Sequence, residues 1–198
     1  MAPLVMVHAA FAAAWVGLYV VQATLVATGR VGAHKALGTG SAIVAAGVVV
    51  TAWQASVAMA RRGYDLSGDL SAGPGGAMAQ TVFTFGNGVI FGVLVCAALV
   101  LRRRPQVHKR LMTLAVIQQL MTAPLAHISG HWQVPFPIVP VWSVGVLIVM
   151  LVHDRRTRGR IHPASLYGGL ALIVVGFVQF TVIGPSKPWQ DFVAWLAS

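Results

Sequence analysis

Along this chain, long runs of apolar residues almost free of charge alternate with short polar segments, and nearly every cation stands at the end of a run. The runs cover about Leu4 to Thr28, Ala36 to Ala60, Thr81 to Leu101, Leu111 to Ile128, a shorter stretch from Val139 to Val152, and a last one from Pro163 to about Ile183. Proline suits the first turn of a helix, which places the start of the last run. Roughly 20 residues at ~1.5 Å each cross the hydrocarbon core of a bilayer, so the runs predict spanning helices. None shows the two-residue alternation of a barrel strand. The pattern predicts an all-α polytopic membrane protein with six transmembrane helices arranged as three helical hairpins. Residues 1–198 then form a single six-helix transmembrane domain. In its tail, residues 184–198, Trp189, Phe192, Val193 and Leu196 share one face of a short C-terminal interfacial helix.

The polar segments set the orientation. Arg102 to Arg110 reads Arg-Arg-Arg-Pro-Gln-Val-His-Lys-Arg, five cations with no acid, and cannot lie in hydrocarbon. Its motif of a cation, three residues and a histidine recurs from Arg30 to His34 and from Arg158 to His162. Lys and Arg in short loops are retained on the inner side of a membrane. Eleven of the fourteen cations fall in the three segments around these motifs, the third being His153 to Arg160, against Arg61, Arg62 and Lys187 elsewhere. Both termini are therefore expected outside. Gly63 to Ala79, with two of the four acids, and the charge-free Ser129 to Pro140, with three prolines, read as external segments. No cation precedes the first run, so it is expected to stay in the mature protein as a helix rather than be cleaved as a signal peptide.

Composition agrees with a membrane location. A chain of 198 residues that is 57% hydrophobic and 9% charged has too little polar surface to cover a water-soluble globule. Its mean hydropathy is +0.77. The net charge of +10 is concentrated in short turns without interleaved aromatics, which favours anionic lipid headgroups over nucleic acid as partners. Cys96 is the only cysteine, which rules out an intrachain disulfide, and it reads as a small core residue. Gly88 and Gly92 have the spacing that lets another helix approach closely, within the chain, in a homo-oligomer or in a membrane-protein complex.

Candidate chemistry rests on histidine. No Asp, Glu, Lys or Arg falls near the middle of a predicted helix, which counts against an ion-coupled transporter. The seven histidines sort by depth: His34, His108, His153 and His162 at inner helix ends, and His8, His127 and His131 at outer ends. His127 and His131 stand four apart, a spacing metal ligands use if Gly130 does not end the helix first. With His8 they form a candidate outer site for a transition metal or a haem ligand. His34 and His108 open two helices running in the same direction, at equal depth, as axial ligands of a b-type haem would. The alternative for each set is ordinary: interfacial imidazoles bound to water and carbonyls outside, and a hairpin-tip device inside.

His34-Lys-Ala-Leu-Gly38 and His108-Lys-Arg-Leu-Met112 resemble the helix-opening motifs of the transmembrane diheme cytochromes b that pass electrons from ascorbate, in which such histidines ligate haem. Across most of its length the chain resembles a group of small uncharacterised bacterial six-span membrane proteins. The stretches that carry this likeness are Gln22 to Gly38, Arg104 to Ala115, and Asp154 followed by Thr157 to Ala164. That resemblance implies a six-span fold in a bacterial inner membrane and no particular activity. Three functions stay open at this point. They are a histidine-ligated metal or haem redox protein, a non-catalytic accessory or assembly subunit of a larger membrane complex, and a small-molecule or lipid carrier using Gln22, Gln54, Asn87, Gln118 and Gln179. No Gly-x-Ser-x-Gly elbow, phosphate loop or acid pair supports a hydrolase or kinase.

Overall fold

A computed structural model describes residues 3–61, 76–132 and 138–198, with the side chains of residues 77 and 120–140 outside the description. The described chain is all-helical: α1 Pro3–Ala27, α2 Val31–Arg61, α3 Gly76–Val100, α4 Pro105–Trp132, α5 Ile138–Arg158, α6 Pro163–Val178 and α7 Lys187–Ala197, with a π-helical turn Gln179–Ile183 continuing α6. Four segments are long and apolar enough to cross a membrane: Pro3–Ala27, Val31–Arg61, Met78–Val100 and Pro163–Ile183. Large apolar side chains such as Val93, Val100 and Phe177 stand exposed on the helices, as lipid-facing positions require. Cys96 is exposed rather than in the core.

Several helices run further than the apolar runs predict, and this changes what the turns contain. α4 starts at Pro105, where a missing N–H costs nothing, so Lys109 and Arg110 belong to the helix and not to the turn. It also continues through Gly130, so His127 and His131 stand on one unbroken helix. α5 is 21 residues long, and His153 to Arg158, expected as turn, are helical. The connection to α6 shrinks to Gly159–His162, opened by Gly159 at φ +70°, a conformation that favours glycine. Of the two expected external segments, residues 63–75 and 133–137 lie outside the described residues, while residues 76–79, 129–132 and 138–140 are helical.

The chain divides into two compact units, residues 1–55 and 56–198, with the boundary inside α2. In the first, α1 and α2 are joined through Gly29 at φ +75°. Their side-chain contacts run in antiparallel register: His8 Nδ1 lies 3.1 Å from Thr51 Oγ1, the Phe11 ring covers Gly47, and Gln22 lies 3.1 Å from Ser41 Oγ.

In the second unit, α4 packs along α3 and also against α5 and α6. Leu114, Ile117 and Leu147 form a buried cluster, flanked by Leu94, Leu111, Val146, Met150 and Leu172. Small residues set the approach of α6. A Cβ on Gly168 would meet Leu114 Cδ1 at 2.4 Å, and one on Gly86 of α3 would meet Gln179 Nε2 at 1.9 Å. The π-helical turn sits where buried Gln179 reaches across to the Val82 carbonyl at 3.4 Å. α7 lies on α3, with Val193 fully buried and the Phe85 ring edge-on to Trp189 and Phe192. The expected apolar face of the tail is thus in contact with protein.

Candidate functional site

Among the described residues, a dense polar constellation lies where the start of α4, the arginine-rich end of α5 and the start of α6 meet. Helix extension explains why it forms. Because α4 begins at Pro105, Arg110 is already in its second turn and points inward from a helix instead of being solvated in a loop. Because α5 continues past the apolar run, Asp154 stands on a helix as well. α6 begins at Pro163 behind His162, whose ring Nδ1 accepts the Ala164 N–H at 3.1 Å and caps the helix. That start brings Ser165 into the first turn.

Arg110, Asp154 and Ser165 are 4%, 3% and 0% exposed, so the contacts between them are made away from water. The Arg110 guanidinium is bidentate to Asp154: Nη2 donates to Oδ1 and Nε donates to Oδ2 at 3.1 Å. Oδ2 also accepts the Ser165 hydroxyl at 2.5 Å and the His162 backbone N–H at 3.3 Å. On the other side of the fork, Arg110 Nη1 donates to the Gln106 carbonyl at 2.7 Å and to Gln106 Oε1 at 2.9 Å. Gln106 Oε1 also accepts from Arg158 Nη1. Burial alone would raise the Asp154 carboxyl. The hydrogen bonds from Arg110, Ser165 and His162 and the Arg110 charge outweigh it and hold the group well below the usual carboxylate range. The network is closed on itself and ties three helices, and a buried pair of this kind is costly to break even where forming it gains little.

Beside this clasp lies a cavity of about 320 Å³, lined by Gln106, Arg158, Arg160, Ile161, His162 and Pro163. The His162 imidazole has its pKa lowered by partial burial, then by the Arg110 and Arg158 charges, with Asp154 opposing and Arg160 adding to the effect. Arg158 and Arg160 put two positive charges on its wall.

The histidines singled out by depth fall as follows. His34 is in the first turn of α2. With the Gln22 amide oriented so that its oxygen accepts the Gly38 N–H and the Ser41 hydroxyl, the amide nitrogen lies 2.6 Å from His34 Nδ1. An Nδ1 that accepts leaves the proton on Nε2, the wrong tautomer for a ligand through that nitrogen. His108, in the first turn of α4, faces the Ala98 carbonyl with Nδ1 at 2.8 Å. It must donate there, which is the arrangement that leaves Nε2 as the basic nitrogen. His8 is similar. Thr51 donates its hydroxyl to the Gly47 carbonyl at 2.6 Å, so its oxygen accepts from His8 Nδ1. The side chains of His127 and His131 lie outside the description. Among the described residues, no three His, Cys, Asp or Glu side chains are grouped to hold a metal ion.

Sequence reasoning missed the pairing of Arg110 with Asp154. The available signal is that Asp154 is the one acid among the three cation-rich segments expected inside and stands only two residues beyond the apolar run. No family model matches the chain, and neither a curated protein nor a solved structure matches it.

Proposed function

We propose that the chain is a six-span protein of the bacterial inner membrane, with arginine-rich turns inside and both termini outside, and that it serves as a non-catalytic accessory or assembly subunit of a larger membrane complex. We assign the two crossings beyond the four apolar segments to α4 and α5, whose 28 and 21 residues reach about 42 and 32 Å with their charged inner ends included. The observation that carries the functional reading is the destination of the interior polar groups. Gln118 Nε2 donates to Asn87 Oδ1 at 2.7 Å, Gln179 to the Val82 carbonyl, Gln22 pairs with Ser41, and Arg110 with Asp154. Each joins one helix to another. The amides a carrier would turn toward a substrate are committed to holding helices together, and Gln54 is exposed. Large apolar side chains exposed on the described helices, such as Val93, Ile148 and Phe177, suit lipid or partner helices.

The test is native purification in mild detergent with an absorption spectrum. A colourless protein in an assembly larger than the 20.9 kDa chain is expected. A lone chain with sharp bands after dithionite reduction would overturn the reading.

One observation favours a second reading, the histidine-ligated redox protein. The His108 hydrogen bond to Ala98 orients that imidazole as an axial haem ligand is oriented. His34 is held in the opposite tautomer, so His108 rather than the pair supports it. A reduced haem band lost in H108A and retained in H34A is what this reading requires.

A further inference from the structure

We propose that the cavity formed by Gln106, Arg158, Arg160 and His162 at the start of α6 is a binding site for a phosphate-bearing anion. The argument begins with charge. The chain has four acids, of which the described Asp154 and Asp191 are taken by Arg110 and Lys187. Arg158 and Arg160 therefore have no carboxylate partner among the described residues, yet both line the same small cavity. Arg158, though exposed, is tethered to the clasp: Gln106 Oε1 accepts from its Nη1 and also from the buried Arg110. The clasp thus positions the cavity wall.

The third donor is His162. Its Nδ1 accepts from Ala164 N, so its exchangeable proton sits on Nε2 as a neutral donor. Two guanidinium forks and one imidazole N–H, from separate positions, suit an anion whose oxygens lie in more than one plane, and arginine forks match phosphate oxygens in pairs. The volume is at the small end for a ligand pocket, which suits a headgroup or a free anion. The lowered basicity of His162 supplies a local reporter, since an anion beside it would raise that basicity. Pro163 begins the apolar α6, so a lipid phosphate at the inner membrane face would lie at this depth. That last step rests on the membrane topology proposed above. The affinity for phosphate does not.

The experiment follows the His162 imidazole by NMR in the full-length protein, with H162N to assign the resonance while keeping a capping side chain. One arm titrates inorganic phosphate into the detergent-solubilised protein. The other compares phosphatidylcholine nanodiscs with and without phosphatidic acid. A shift with a raised His162 pKa is expected in at least one arm. Response to inorganic phosphate assigns a free anion, and response only to phosphatidic acid assigns a lipid headgroup. R158Q/R160Q should weaken binding about 25-fold, roughly five-fold for each guanidinium removed. R102Q/R103Q, which removes the same charge from another turn, should leave it within about two-fold. The proposal is overturned if His162 responds in neither arm, or if both double variants weaken binding equally. An incorrect topology would leave the inorganic phosphate arm intact, so the two failures are distinguishable.

Discussion

Asp154→Asn removes one charge and almost no volume, which makes it the cleanest perturbation of the clasp. In the folded protein it leaves the Arg110 guanidinium buried without its counter-ion. Removing one partner from a buried pair costs about 3–5 kcal/mol. Arg110 keeps the Gln106 carbonyl, Gln106 Oε1 and Ser165 Oγ as acceptors at 2.7, 2.9 and 3.1 Å, and Asn can still accept from Ser165, so the lower end, about 3 kcal/mol, is expected. R110M alone strands the carboxylate and should cost a similar amount. The double variant R110M/D154N contains no buried charge at this position, and Ser165 and His162 still have an acceptor, so it should lose only about 1–2 kcal/mol. The assay is SDS-titrated unfolding in mixed micelles, read by circular dichroism, for wild type, both single variants and the double. The reasoning is refuted if D154N lies within about 0.5 kcal/mol of wild type, or if the double variant costs as much as the two singles added together.

Four further outcomes are expected. Because the folded Asp154 pKa is depressed, its contribution is fully present above the ordinary carboxylate value of ~3.9 and declines as pH falls below it, so the stability gap between wild type and D154N should narrow from pH 7 to about pH 3. G86A places a methyl group on Gln179 Nε2 and should cost about 1–3 kcal/mol in the same unfolding assay; adding Q179A should recover part of it, and strict additivity would argue against the contact. V193A empties a fully buried position between α7 and α3 and should cost about 1–2 kcal/mol, with hydrogen exchange rising first in Lys187–Ala197. In a Cys96→Ala background, S198C should react with a membrane-impermeant maleimide on spheroplasts while R103C should not; the reverse labelling would invert the topology.

Several features of the candidate site were legible in advance, and their limits are instructive. The third cation-histidine motif brings His162, Arg158 and Arg160 to attention as a helix opening; His162 does cap α6, whereas Arg158 closes α5 and Arg160 lies in the connection between them. The sequence groups Arg110 with its neighbours in one cation cluster, because composition describes a cluster and not the direction each member faces. In fact Arg102 to Arg104 precede the helix while Arg110 is 4% exposed within it. His34 and His108 read alike as residues followed by lysine at a helix start. Their hydrogen bonds place the ring protons on opposite nitrogens, and those bonds depend on Gln22 and Ala98, which lie on the preceding helices and outside the two histidine-lysine motifs.

The sequence by itself determined that the chain is helical, that it carries runs apolar enough for a membrane, and where its cations and prolines punctuate them, because hydropathy and helix-terminating chemistry act over one or two turns of chain. Only the tertiary structure decided how far α4 and α5 continue beyond their apolar runs, which puts Arg110 and Asp154, 44 residues apart, into one buried pair. It likewise decided that Gly86 faces Gln179 and that the C-terminal face covers α3. These are consequences of which side chains meet when helices pack, and burial, not local pattern, turns a charged residue at a helix end into a fixed partner.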